Sequence, residues 1–355
     1  MKKILVILSK YHLKLYRNGF LNYAKEQGVI IEFFELHDCD DDNILYRKAY
    51  KKNILGYRDD INAKQSRYLE TVRKEYDSFL FINFPEESKK LLRVLSENED
   101  KNILFVDTMR DLKEIQGLEK FRNIYSFEYN DIKYAKQKWG ITVNYTPIGT
   151  SYHLYNVINR EPQYDISFVC LASEKRLAYL DKIADYCYKN NRILFCAGHF
   201  WHNGNFLQRL IGAFKFRRKH PILYKYVKNE YLTPEQLAQV YIDSKICLNI
   251  NIEKHHSFNT RNFDVMVLGR LLITDEEELK WIDIKNDKDF IMSDNSDHMV
   301  KLIDYYLNNK ESRIMIAKEG ERKIKMKYIF SNTIQLVLKK NKEHSCNQEK
   351  QALQK

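Results

Sequence analysis

Short apolar runs alternate with amphipathic helical segments along most of the chain, and this alternation limits the fold more than any other feature. The runs include KILVIL (3–8), SFLFINF (78–84), NILFVDT (102–108), DISFVCLA (165–172), RILFCAG (192–198), KICLNINI (245–252) and RLLIT (270–274). Runs that are mostly continuous, rather than polar at every second position, are typical of parallel strands covered on both faces. The repeated strand–helix order therefore predicts doubly wound α/β sheets, as in Rossmann-like domains.

The alternation lapses at residues 148–164, which have no clear period and contain Gly and Pro. A chain of 355 residues is also longer than a single ordinary core requires. We therefore predict an N-terminal Rossmann-like domain (1–150), a C-terminal one (164–330), and a C-terminal helix with a polar tail (331–355). Parallel sheets bind ligands at the carboxyl ends of their strands, so the predicted site is the cleft in which the two domains face each other.

Composition excludes some classes of protein. Charged residues make up 30% of the chain, and no stretch approaches the roughly 20 apolar residues of a membrane span. The apolar part of the opening MKKILVIL is too short for a signal peptide and is predicted to form the first strand. Six widely spaced cysteines, most of them inside apolar runs, predict reduced core residues in a cytoplasmic protein and no zinc site.

The net charge of +11 favours an anionic partner. Basic and aromatic residues are concentrated in FKFRRKHPILYKYVK (214–228). This block predicts either contact with the anionic inner face of the cell membrane, as in a peripheral membrane protein, or an ordinary solvated helix and turn. Nucleic acid is not predicted as a partner, because the sequence has no recognisable nucleic-acid-binding motif.

Two candidate catalytic residues follow strands of the first domain. His12 comes after KILVIL, and Asp107 ends NILFVD. Asp107 could act as a general base or bind an acceptor hydroxyl, or it could cap the helix that begins near Met109. The first domain has no GxGxxG motif, and the chain has no P-loop, GxSxG or HExxH motif, so no cofactor is predicted.

Cations at the start of a helix are candidates to bind a diphosphate. Ser173 is a predicted N-cap, and Lys175 and Arg176 fall in the first turn that follows it. The helix dipole is positive at that end and disfavours cations, a conflict that a bound phosphate would resolve. The alternative is that both side chains are solvated beside Glu174.

A second helix start shows the same arrangement. Asn259 or Ser257 is the predicted cap, and Thr260 and Arg261 fall in the first turn. Asp264, about one turn further along, could accept hydrogen bonds from both hydroxyls of a ribose, or it could simply favour the positive end of the helix. Two cationic helix starts in one domain together predict a nucleotide-diphosphate site.

Further donor contacts are predicted beside these helix starts. Gly198 and His199 end the strand RILFCAG, and Tyr231 precedes the capping box TPEQ, where it could flank a nucleobase or act as a hydrophobic staple. His256 belongs to the polar group before the second helix start. His255 does not form a metal-binding pair with it, because adjacent residues do not share a helix face, and no metal site is predicted.

The order and spacing of these motifs resemble the CgeB-like glycosyltransferases of bacterial spore maturation, which have the two-domain GT-B architecture. The matching segments are YDISFVCLASEKRLAYL, EQLAQVYIDSKICLNI, NTRNFDVMVLGRLLITDEEEL and DFIMSDNSDHMVKLIDYYLNNKESRIMIAKEGERKI. The third is similar to the family pattern Asn-x-Arg-x-Phe-Glu-x-Met-x-x-Gly. NILFVDTMRD and VNYTPIGTSYHLY are weaker matches, so the resemblance is strongest over residues 164–330.

The resemblance implies a transferase that moves a sugar from a nucleotide-sugar donor to a glycan or lipid-linked acceptor, in the synthesis of bacterial surface polysaccharide or glycoconjugates. The second domain would hold the donor, with Asn259, Arg261 and Asp264 in the donor motif and Lys175 and Arg176 at the diphosphate. The helix N-termini and these cations would stabilise the leaving group without a metal.

The sequence departs from related retaining transferases, which carry a Glu-x7-Glu pair. His256 stands at the first acid and Asp264 at the second, so the resemblance leaves the stereochemistry open. Two rival interpretations remain. A sugar-nucleotide epimerase of the same architecture would need further acids and bases in the cleft. A non-catalytic binding protein is favoured by the missing first Glu and disfavoured by the intact Asn259 and Arg261.

Overall fold

A computed structural model describes residues 1–36, 44–84, 86–95, 99–112, 115–201, 206–252 and 257–339. These residues form two six-stranded parallel sheets, one in each half of the chain. The predicted α/β class with two doubly wound domains is confirmed.

The first sheet has the strand order β2-β1-β3-β4-β5-β6. Its strands are β1 (Lys3–Ser9), β2 (Ile30–Leu36), β3 (Ser78–Ile82), β4 (Lys101–Phe105), β5 (Asn123–Ser126) and β6 (Asn144–Tyr145). Its helices are α1 (Lys10–Gln27), α2 (Ile44–Lys52), α3 (Tyr57–Val72), α4 (Glu86–Leu92) and α5 (Tyr129–Trp139). Every residue of β3 and β4 is buried, as the continuous apolar runs predict.

The second sheet has the order β12-β11-β10-β7-β8-β9. Its strands are β7 (Tyr164–Leu171), β8 (Leu194–His199), β9 (Val227–Lys228), β10 (Ser244–Asn249), β11 (Leu271–Thr274) and β12 (Ile291–Met292). The helices of this half are α6 (Glu174–Lys189), α7 (Phe206–Lys219), α8 (Pro234–Ile242), α9 (Thr260–Val267), α10 (Ser296–Asn308), α11 (Lys310–Lys327) and α12 (Phe330–Leu338).

The predicted helix caps are present. Ser173 accepts a hydrogen bond from the Arg176 amide at the start of α6, and Thr233 and Gln236 form the reciprocal capping box of α8. Gly28 ends α1 in the left-handed conformation, with φ of 63°. The sequence therefore predicted where α6 and α8 begin.

The last helix of the described chain belongs to the core of the first domain. Phe330 and Ile334 of α12 are buried among apolar residues of the first sheet, and the Phe330 ring lies 5.0 Å from that of Phe20 in α1. A side chain at Gly19 would collide with the Phe330 ring. The chain thus crosses from the second domain back to the first after α11.

Four of the six cysteines are buried and free, as predicted: Cys170, Cys187, Cys196 and Cys247. Cys39, Cys346 and the polar tail from residue 340 lie outside the described residues. In the part of the chain that the structure describes, no helix is both long and apolar enough to traverse a bilayer.

Candidate functional site

The N-terminus of α9 is held by asparagines at the carboxyl end of β10. Asn259 caps α9 by accepting a hydrogen bond from the Arg261 amide, and its own amide donates to Asn251 Oδ1 over 2.8 Å. The Arg261 guanidinium donates to Asn249 Oδ1 over 2.6 Å. Asn249 and Asn251 were missed at the sequence level, although polar residues at the end of an otherwise apolar strand were a usable signal. The arrangement fixes a cation at a positive helix end, where an anion would be stabilised.

Arg176, predicted to lie at the diphosphate, is held by main-chain carbonyl groups. Its side chain is only 8% exposed, and it donates hydrogen bonds to the carbonyl oxygens of Ile250 (2.7 Å) and Leu171 (3.0 Å). Burial lowers the pKa of Arg176 to about 10, with the nearby Arg261 charge acting in the same direction. Arg176 therefore ties the last residue of β7 to the residue that follows β10, and little of it is accessible to a phosphate.

Lys175 remains on the surface of the site. Its Nζ lies 2.6 Å from Oδ2 of the buried Asp275, and about a third of the side chain is exposed. The backbone amide of Asn251 donates to the other oxygen of Asp275 over 2.9 Å. Lys175 therefore neutralises a buried carboxylate and is accessible to a ligand at the same time.

A second buried carboxylate, Glu277, lies behind the asparagines. It accepts hydrogen bonds from the side chains of Asn262 (2.7 Å), Thr274 (3.0 Å) and Asn249 (3.2 Å). Burial raises the pKa of Glu277 to about 8. Glu277 and Asp275 could not be singled out from the four consecutive acids of DEEE at the sequence level, because only burial distinguishes them.

Asp264 contacts the segment that links the two domains. Thr150 Oγ1 donates to Asp264 Oδ1 over 2.5 Å, and the carboxyl is 8% exposed. Burial raises its pKa to about 8, although the Thr150 hydrogen bond and the Arg261 charge oppose this shift. The adjoining cavity, which Tyr16 and Thr260 also line, measures about 50 Å³, enough for one or two waters. Asp264 is therefore nearly covered by its neighbours, and this cavity beside it is smaller than a ribose.

His199 and Tyr231 are brought together at the end of β8. Their rings are stacked, with centroids 5.8 Å apart and an interplanar angle of 14°, and Tyr231 is 70% exposed. Gly198 is required by the packing of β8 against β7, because a Cβ atom there would lie 1.7 Å from the Cys170 carbonyl oxygen. The stacked pair offers a flat aromatic surface to a ligand at this edge. His256, predicted as a donor contact, lies outside the described residues.

The two candidate catalytic residues of the first domain lie together. His12 Nε2 is 3.4 Å from Asp107 Oδ2, and Asn83 donates to the same Asp107 oxygen over 2.6 Å. Asn83 also accepts hydrogen bonds from the amides of Val106 and Asp107, and it has a positive φ of 59°. Ser9 Oγ lies 2.8 Å from His12 Nδ1. Asn83 and Ser9 were missed because their importance depends on the neighbouring strands β1, β3 and β4 ending at one edge.

Ser257, a possible helix cap in the sequence, instead joins the two domains. Its hydroxyl donates to Glu128 Oε1 over 3.2 Å and accepts from the Tyr129 amide over 2.8 Å. Glu128 caps α5 of the first domain and is fully buried. The segment that leads into α9 is therefore in direct contact with the first domain.

Residues 194–339 match the sequence model of a family described as "Glycosyl transferase-like". The matched part runs from β8 to α12. A comparison with curated protein sequences finds no match.

Solved structures show which fold the chain has. Sucrose-phosphate synthase from Thermosynechococcus elongatus superposes with a TM-score of 0.62 at 10% identity, over 95% of this chain and 97% of that one. HepE from Anabaena, in complex with UDP-glucose, gives 0.62 at 11% identity, over 95% and 98%. A glycosyltransferase from Rickettsia africae gives 0.59 at 12% identity, over 94% and 96%. The fold is therefore that of GT-B glycosyltransferases.

Proposed function

We propose that the chain transfers a sugar from a nucleotide-sugar donor, bound by the second domain, to a glycan or lipid-linked acceptor bound by the first. The observation that carries this proposal is the cation Arg261 fixed at the N-terminus of α9, with Lys175 exposed nearby and a glycosyl transferase-like sequence around it. A leaving nucleoside diphosphate needs concentrated positive charge, and this edge of the sheet supplies it.

The donor side stabilises the charge that develops as the glycosidic bond to phosphate breaks. The positive end of the α9 dipole and the Arg261 guanidinium are held in place before the reaction, so they need little reorganisation when charge appears. Asn249 holds the Arg261 guanidinium, and Asn259 holds its backbone amide. We propose that these groups perform the task without a metal ion. The stacked His199 and Tyr231 rings form the surface proposed to bind the nucleobase of the donor.

The acceptor side activates a hydroxyl group. In our proposal His12 removes the acceptor proton, with Asp107 stabilising the imidazolium and Asn83 orienting Asp107. This arrangement also favours transfer over epimerisation, because the proposed general base, His12, belongs to the first domain, whereas the donor cations belong to the second. A non-catalytic protein would not require a histidine and a carboxylate held together at this edge.

The acceptor class, a role in bacterial surface polysaccharide or glycoconjugate synthesis, and membership of the CgeB-like branch are parts of the same proposal. They are supported by the motif NTRNFDVMVLG. A UDP-sugar is the donor to test first, because HepE and an alpha-glucosyltransferase with the same fold were crystallised with UDP-glucose.

The donor site is tested by thermal shift in EDTA with UDP, GDP, ADP, CMP and their sugars. One nucleotide at about 100 times its Kd should stabilise the wild-type chain by roughly 2.7 kcal/mol. Arg261→Ala should abolish that shift, because it removes a charged partner of the diphosphate. Arg322→Ala, which removes an exposed arginine from α11, is the matched control and should leave the shift intact. If no nucleotide stabilised the wild-type chain, the donor site would be misassigned.

The acceptor side is tested by turnover. His12→Gln should lower the transfer rate by about 10²- to 10⁴-fold while donor affinity, measured by calorimetry, stays unchanged. His298→Gln, on α10 of the second domain, is the control. An equal loss of donor affinity in His12→Gln would place His12 in the donor site, and an unchanged rate would remove it from catalysis.

A further inference from the structure

Helix α7 carries an apolar stripe that the domain core does not cover. Five large side chains are between half and three quarters exposed: Phe206 (72%), Leu207 (67%), Leu210 (51%), Ile211 (54%) and Phe214 (68%). At about 100° per residue, these positions fall on one side of the helix. Single exposed apolar residues are common on soluble proteins, whereas a contiguous set marks an interaction surface.

The opposite side of α7 attaches the helix to the protein. Phe216 is buried, and its ring packs against those of Trp201 (5.2 Å) and Phe200 (5.8 Å). Gly212, one turn earlier, lies against the Trp201 side chain. By helical geometry the apolar stripe lies on the side opposite Phe216, so it points directly away from the domain.

The charges on α7 have one sign. The helix contains five basic residues and no acid: Arg209, Lys215, Arg217, Arg218 and Lys219. A second copy of the chain would bring like charges together on this face, which is unfavourable. A partner for the whole helix must therefore be apolar at its centre and anionic at its rim.

The first domain has a segment of the same character at residues 44–57. Its exposed apolar side chains are Leu45 (76%), Tyr46 (52%), Ile54 (48%) and Leu55 (98%). Leu55 has φ of 52° and lies in the turn between α2 and α3. The segment contains four basic residues and no acid: Arg47, Lys48, Lys51 and Lys52. Segment 44–57 follows β2 and α7 follows β8, so each domain carries such a surface in a connection that leaves the carboxyl end of a strand.

We propose that α7 and segment 44–57 bind the surface of a lipid bilayer that contains anionic lipids. The apolar stripe of α7 enters the boundary between headgroups and acyl chains, and its cations pair with the headgroup phosphates. The sequence predicted membrane contact for block 214–228. The proposed surface starts earlier in the chain, because the apolar side chains that enter the bilayer begin at Phe206. The proposal does not depend on the reaction the protein catalyses.

The test is flotation of the full chain with vesicles, without any nucleotide. Vesicles of phosphatidylcholine alone are compared with vesicles that also contain phosphatidylglycerol, each at low and high salt. The wild-type chain should float with the anionic vesicles and lose binding as salt is added. Leu207→Ser/Phe214→Ser should bind at least about tenfold more weakly, because two apolar side chains no longer enter the bilayer. Arg217→Gln/Arg218→Gln should lose the preference for anionic lipid.

Matched controls come from α11, where Met315 and Met326 are also more than half exposed. Met315→Ser/Met326→Ser should float like the wild type, and thermal midpoints should show that all variants fold. A tryptophan at position 214 (Phe214→Trp) should shift its emission to the blue with anionic vesicles and be quenched by brominated acyl chains. Absence of flotation with either vesicle would overturn the proposal. So would equal binding of the Leu207→Ser/Phe214→Ser variant, or a dimer that the same variant dissociates without any vesicle binding.

Discussion

At the scale of single residues, the buried carboxyl of Asp264 makes stability depend on pH. Burial raises its pKa to about 8, well above the value of about 3.9 in an unfolded chain. Between these values the folded state holds a proton that the unfolded state has released, so stability falls as pH rises from about 4 to about 8. The same sign applies to Glu277, whose pKa burial also raises to about 8.

Asp264→Asn should remove its part of this dependence, because the amide does not titrate and its oxygen can still accept the Thr150 hydrogen bond. We expect the Tm of the variant minus that of the wild type to increase as pH rises from about 5 to 8. Asp60→Asn, which changes an exposed carboxylate of α3, is the control, and its difference in Tm from the wild type should not change with pH. A constant difference for Asp264→Asn would mean that the Arg261 charge keeps Asp264 ionised throughout this range.

At the scale of elements, the close packing of β7 and β8 depends on Gly198. Its φ is 138°, and a Cβ atom would lie 1.7 Å from the Cys170 carbonyl oxygen. Gly198→Ala should therefore lower the free energy of unfolding, measured in urea, by about 3 kcal/mol or more, since the backbone has to move. Gly28→Ala is matched, because its φ is 63° but its Cβ would meet open space. It should lower stability by only about 1–2 kcal/mol. Equal losses would show that the backbone angle, and not the contact with Cys170, governs both positions.

The sequence predicted the strands and helix starts that depend on residues close together in the chain. It missed the contacts between residues far apart in the chain. Strands such as β3 and helix starts such as Ser173 follow from local patterns of apolar and capping residues. The contact between Thr150 and Asp264 joins positions 114 residues apart, and the Asn83–Asp107 bond joins positions 24 apart. The turn of Arg176 was predicted but its burial against two carbonyl groups was not, because periodicity locates a side chain on a helix without showing which groups surround it.

At the scale of the whole molecule, α12 links the stability of the first domain to the end of the described chain. Phe330→Ala should lower the free energy of unfolding by about 3–5 kcal/mol, because it leaves a cavity against Phe20 and Tyr16. Hydrogen exchange should then rise in α1 and β1 more than in the second sheet. Phe290→Ala, which empties a fully buried position in the second domain, should show the opposite distribution. Exchange rising in both domains alike after Phe330→Ala would mean that the two halves unfold as one unit.

The return of α12 to the first domain also has a consequence for synthesis of the chain. A ribosome completes β1 to β6 long before it reaches Phe330, and until then the surface of α1 around Gly19 and Phe20 has no cover. The second sheet can be covered by its own helices as soon as α11 has emerged. The domain that is translated first is therefore the one that finishes folding last, and its exposed apolar groove would be open to chaperones for most of translation.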